Sequence, residues 1–382
     1  MAGFRDQQQR SDVGWSDLGV RARRITAAAA AAALLAGGCG AYVWIKEQTP
    51  GARLAEACGG MLPVDEVLAL TGTTASGFGG NDLDLSSNTY DVSPTVVEPD
   101  GLATVCQAND LSVQIESASG SRDPLGHYVF QRLDGPLPVP LPGGWSGFLV
   151  PDESGLPAYG DDYGKLGTSV LLDCPAWDRR HGSGILVTAR LTDSDTADPA
   201  VRRGLVRIAT GAAERAAQAT GCDGDPGGRI GEVGSTNATA EHLPADRADG
   251  TCEGVTSQPW VLETAARTAP TESCVLEGSL VLRSYYGPFV RDHSEARYGE
   301  WDEATGATNF GAWGSADCGG ALGDAVYMAE LVEDSDRGLI DTPLTRSEHA
   351  DLRTFAEASA KRHGCRPPEI STEPPVPAEP PD

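Results

Sequence analysis

The residues able to do chemistry in this chain fall into four groups. Alternating carboxylates, Asp193-Ser-Asp195 and Asp334-Ser-Asp336, recur in two loops, with Asp198 beside the first and Glu333 beside the second. Carboxylates at alternate positions can offer oxygens to Ca²⁺, which takes about six to eight of them. Neither loop has the glycine and distal glutamate of an EF-hand. Asp193, Asp195, Asp334 and Asp336 are therefore weak calcium candidates, and the plainer reading is a solvated turn complementing a helix dipole. Asp223-Gly-Asp225 is weaker still. No other metal site and no cofactor is expected.

The six histidines (His127, His181, His242, His293, His349 and His363) sit in no recognisable catalytic frame, and the chain has no G-x-S-x-G elbow, S-x-x-K or H-E-x-x-H. Catalytic residues are thus unassigned, and His181 and His293 read as surface-loop histidines. Aromatics cluster at Trp301, Phe310 and Trp313, with Tyr285, Tyr286 and Phe289 upstream. Stacked on an exposed face they would hold sugar rings; the expected alternative is that they fill the core of a small disulfide-rich domain. The sequon Asn237-Ala-Thr239 is incidental in a bacterial host.

The fourth group is the cysteines. Of nine, eight form two sets of four: Cys58, Cys106, Cys174, Cys222 and Cys252, Cys274, Cys318, Cys365. Each third cysteine follows an aspartate (Asp173, Asp317) and each fourth a glycine (Gly221, Gly364). No pair has C-x₂-C spacing and no histidine stands at ligand spacing, so metal binding yields to disulfides. Four cysteines allow three pairings. Sequence alone leaves the other pairings open, but the near-constant gap from third to fourth suits a strand end tied to the end of the helix packed over it, so the pairing expected is Cys58–Cys106, Cys174–Cys222, Cys252–Cys274 and Cys318–Cys365.

These groups need elements to hold them. Disulfides require an oxidising compartment, and the N-terminus supplies a route there. Arg21, Arg23 and Arg24 precede an uncharged run, Ile25 to Ile45, followed by Lys46-Glu47. About 20 apolar residues cross a bilayer, and arginines hold their end in the cytoplasm. Residues 1–24 then form a cytoplasmic tail and 25–45 a transmembrane signal anchor, with the bulk of the chain extracytoplasmic. A cleaved signal peptide and a lipoprotein acylated at Cys39 are the rival readings.

Beyond the anchor, residues 46–57 read as a stalk, 58–222 as a first module, 223–251 as a linker, 252–365 as a second module, and 366–382, with seven prolines, as a disordered tail. Each module repeats one order. Strands at 169–172 and 184–191 lead to a helix opened by Asp198-Pro199, with Val201, Leu205, Ile208, Ala209, Ala212 and Ala216 on one face. In the second copy, strands at 278–286 and 325–332 lead to a helix opened by the capping box Thr345-x-x-Glu348, with Leu352, Phe355, Ala356 and Ser359 on one face. The fold class is α+β: two related, disulfide-stapled modules, each a small antiparallel sheet with a C-terminal helix, after one transmembrane helix. The repeat implies internal duplication.

A net charge of −26 excludes a nucleic-acid surface. The Arg-Ala-Arg-Arg and polyalanine start, Ala57-Cys-Gly-Gly-Met-Leu-Pro63 with Val64-Asp-Glu-Val67, and the Gly-Cys helix ends resemble those of membrane-anchored or lipid-anchored exported proteins of high-GC actinobacteria. That resemblance implies location and domain style, not an activity. The function expected is a non-enzymatic envelope binding or interaction module, its partners the membrane through residues 25–45 and an envelope protein or glycan. The alternative is an envelope-acting hydrolase. Converging ionisable groups in a pocket would favour the enzyme, and an exposed aromatic patch would favour binding. A sensor is disfavoured by the short cytoplasmic tail.

Overall fold

A computed structural model describes residues 49–73, 96–98, 101–118, 137–151, 166–177, 183–192, 195, 197–235, 242–277, 280–290, 305–308, 311–331 and 344–370. Residues 25–45 lie outside this set, and among the described residues no helix is long and apolar enough to cross a membrane.

The first sheet is antiparallel throughout. It comprises β1 (Val96–Glu98), β2 (Gly101–Ala108), β3 (Leu111–Ser117), β4 (Val139–Pro140), β5 (Gly147–Pro151), β6 (Leu166–Asp173) and β7 (Gly184–Leu191), in the order β1-β2-β3-β7-β6-β5-β4. Leu111, Val113 and Ile115 alternate with polar residues, so one face of β3 is apolar and buried. Helices α1 (Pro50–Ala57), α2 (Val64–Leu70) and α3 (Pro199–Thr220) belong to this half of the chain. Asp198 caps α3 by accepting from the Ala200 amide at 2.7 Å, and Gly221 ends it in the left-handed conformation that glycine adopts without a Cβ penalty. Leu205, Ile208, Ala209, Ala212 and Ala216 are buried against Val170, Leu172, Ile185 and Val187.

The second sheet repeats the plan. It comprises β8 (Leu243–Pro244), β9 (Trp260–Glu263), β10 (Thr271–Leu276), β11 (Leu280–Tyr286), β12 (Gly306–Thr308), β13 (Gly311–Gly319) and β14 (Gly323–Leu331), in the order β12-β13-β14-β11-β10-β9-β8. Its path β12-β13-β14-β11-β10-β9 matches β5-β6-β7-β3-β2-β1 of the first sheet strand for strand. Helix α4 (Arg346–His363) follows β14 as α3 follows β7, and its capping box at Thr345 and Glu348 is complete. Leu352, Phe355 and Ala356 are buried in its own core with Leu282, Tyr286 and Tyr327.

The cysteines pair as Cys58–Cys106, Cys174–Cys222, Cys252–Cys274 and Cys318–Cys365, closing 48, 48, 22 and 47 residues. Cys106 and Cys274 occupy the equivalent strands β2 and β10, while Cys174 and Cys318 lie at or just beyond the ends of β6 and β13. Four such bonds mark an exported protein.

Three boundaries differ from expectation. The stalk is partly α1, because Thr49 caps it, Pro50 starts it, and Leu54 sits in the first core. The linker is no loose tether. Gly228 bonds to the Gly143 carbonyl, Ile230 and Val233 are buried, and Leu243-Pro244 forms the edge strand β8. The tail begins as β15 (Glu369–Ile370), paired with Gly314 and Ser315 of β13, where β12 is too short to cover the edge. Residues 371–382 lie outside the described set.

The two sheets also meet each other. Phe148, Leu171 and Leu186 point away from α3 and pack on Tyr285, Phe289, Ala321 and Met328, with Phe148 and Phe289 edge-to-face at 5.3 Å between centroids. Asp173 accepts from the Ala321 amide at 2.8 Å across this junction. The layers run helix, sheet, sheet, helix.

Candidate functional site

A polar cleft of about 500 Å³ opens on the helical side of the first module. Four pieces of chain define it: the Pro63 turn leading into α2, Trp145, the outer face of α3, and the segment Gly227–Ile230. On α3, Arg207, Gly211, Glu214 and Arg215 fall at i, i+4, i+7 and i+8, on the side opposite the buried stripe. Gly211 lets α2 approach, since a Cβ there would meet Pro63 Cγ at 3.0 Å. Trp145 is buried at one wall and donates from Nε1 to the Gly228 carbonyl at 2.8 Å. Gly227 makes room for its ring: a Cβ would overlap the indole.

Five charges line the cleft: Glu66 on α2, Arg207, Glu214 and Arg215 on α3, and Arg229 on the segment Gly227–Ile230. Among the described residues, none of the five side chains has a salt-bridge or hydrogen-bond partner. Guanidinium groups hold carboxylate or phosphate oxygens in a fixed fork and stay protonated at any physiological pH. No serine, cysteine or histidine lines the cleft, and its one hydroxyl, Thr210 Oγ1, donates to the Val206 carbonyl at 3.0 Å. The arrangement can hold a charged ligand, and among the described lining residues no hydroxyl, thiol or imidazole is paired with a base.

A second polar constellation lies under α4. Glu272 on β10 is 1 % exposed and receives Arg362 Nη2 at 2.7 Å, Arg362 Nε at 3.1 Å and Ser359 Oγ at 2.7 Å. Tyr286 OH and Ser359 Oγ lie 2.5 Å apart, and Ser359 also reaches Ser284 at 3.2 Å. The His363 ring stacks on Tyr286 at 4.0 Å, with Nε2 2.9 Å from the Ala269 carbonyl and Nδ1 3.0 Å from that of Ser359. Burial pushes the Tyr327 phenol up to about 12, and Tyr286 beyond it. Every member is spent on a neighbour, so this network clamps helix to sheet.

Among the predicted site residues, Asp195 accepts from the Ala197 amide at 2.9 Å, a local turn. Asp193, Asp334 and Asp336 lie outside the described residues, among which no cluster could hold a metal. Asp223 accepts from the Ala176 amide at 3.1 Å. Tyr285, Tyr286 and Phe289 are core residues, as expected of aromatics in such a domain. Trp301, Phe310, His127, His181 and His293 fall outside the described set, as do Asn237 and Cys39. His242 is exposed. His349, in the first turn of α4, has both ring nitrogens buried with no hydrogen-bond partner among the described residues, and burial lowers its pKa. The cleft residues were missed, although Gly211 inside a long helix was a signal that something packs closely there. No family model, curated protein or solved structure matches this chain.

Proposed function

We propose that the chain is a non-enzymatic cell-envelope protein, held in the membrane by residues 25–45, whose first module binds an envelope component in the cleft between α2 and α3. The observation that carries this reading is the set of five charged side chains around a polar cleft, none of them engaged by another described residue. Ionisable groups lining one pocket are the feature expected to favour an enzyme. Here three of the five are guanidiniums, which bind anions and do not shuttle protons near neutral pH. Among the described residues the large exposed hydrophobics are Val105 and Trp260, on different sheets, and they form no common patch.

The test is co-sedimentation of the protein with isolated envelope, comparing the native chain with Arg207→Gln/Arg229→Gln. The native chain should pellet and the double variant should stay in solution; equal pelleting would overturn the cleft as the site. Intact mass of protein taken from native membranes, with and without reductant, checks retention of the anchor and the four disulfides together.

A hydrolase is the second reading, favoured by Glu66 and Glu214 lining the same cleft, since paired carboxylates cleave glycosidic bonds. Release of soluble glycan from envelope, lost in Glu214→Gln, would replace the binding reading.

A further inference from the structure

Building on the cleft as a ligand site, we infer that its ligand is zwitterionic and peptide-like, with a carboxylate held by the arginines and an ammonium by the glutamates. The charge balance leads there. Three guanidiniums (Arg207, Arg215, Arg229) and two carboxylates (Glu66, Glu214) leave the cleft with one positive charge. A polyanion would gain that single charge while meeting a molecule whose net charge is −26. A simple cation would meet the arginines first. An apolar ligand finds few partners, because Trp145 is already buried on its own neighbours.

A ligand carrying both signs uses both sets. Each charged hydrogen bond to a guanidinium or carboxylate is stronger than a neutral one, and the fork of arginine fits a carboxylate in two contacts. Among the described residues none of the five groups is engaged by a partner, so their charged hydrogen-bonding capacity is open to a ligand. The volume of about 500 Å³ lies in the range of small-molecule sites. Because the cleft is partly open to solvent, the source of the peptide, free or attached to a larger envelope polymer, is a question for the experiment.

The experiment is calorimetric titration of the disulfide-intact chain at low ionic strength with the tripeptide Ala-Glu-Lys. Two blocked forms accompany it, one acetylated on both amines and one amidated on both carboxylates. The parent should bind, and each blocked form should bind about tenfold more weakly or worse, the loss of one charged contact. Arg229→Gln should reduce the penalty for amidation, and Glu214→Gln that for acetylation. Equal affinity for all three peptides, or affinities indifferent to both substitutions, overturns the inference. If no peptide binds while envelope co-sedimentation still requires Arg207 and Arg229, the ligand class fails and the cleft stands. If neither requires them, both readings fall. Displacement from envelope by the peptide identifies the polymer-attached form, and binding without displacement the free one.

Discussion

A buried phenol reports its surroundings through its proton. Tyr286 and Tyr327 lie 3.5 Å apart, oxygen to oxygen, in the core of the second module, and burial raises both pKa values. The folded state therefore favours the neutral phenols beyond what the unfolded chain does, whose tyrosines ionise near 10. That stability is fully present below about pH 10 and drains away as pH rises through about 12, the value of Tyr327. Ultraviolet phenolate absorbance followed together with circular dichroism should show these two groups ionising only as the fold is lost. A phenolate step near pH 10 that disappears in Tyr327→Phe, with the fold intact, would contradict the burial argument. The same residue scale explains the aromatics: large rings in a small disulfide-rich domain are expected in its core, and Tyr285, Tyr286 and Phe289 are there.

Between elements, the decisive contact is α4 on β10. Glu272 ties Ser359 and Arg362 to the sheet, and its carboxylate has almost no access to water. Removing one partner of a buried pair leaves the other charge unsatisfied, which costs about 3–5 kcal/mol. Glu272→Ala should therefore destabilise the chain by that order in urea titration. Adding Arg362→Met should recover part of the loss, because the stranded charge goes too. Equal losses in the single and double variants would mean that the pair is solvated. Helix starts were legible at this scale: Asp198-Pro199 and the Thr345–Glu348 box each satisfy an orphan amide within a few residues. Glu272 was illegible, since a glutamate in a strand reads as solvent-facing until a helix 87 residues later covers it.

Across the whole molecule, two half-molecules of matching strand order are joined through the backs of their sheets. Phe148 is fully buried in that junction against Phe289. Phe148→Ala should cost about 3–5 kcal/mol through the cavity it leaves. In limited proteolysis it should expose the 223–251 connection, while both helix-to-sheet cores persist. A variant that unfolds in one transition with no new cleavage would show that the halves are not separable. The run Ser169-Val-Leu-Leu172, apolar on both faces, carried a trace of this packing. It did not name the partner, because a strand buried on two faces looks the same whatever lies above it.

Local rules decided what the chain could settle alone. Caps, strand alternation and cysteine spacing depend on neighbours within a helix turn, a strand or a disulfide loop, and from them came the α+β class, the four stapled pairs and export. The sheet-to-sheet junction, the Glu272 network and the cleft of Arg207, Arg215 and Arg229 depend on residues brought together from distant parts of the chain. No periodicity encodes such meetings, so only the tertiary structure could place five charged side chains around one opening.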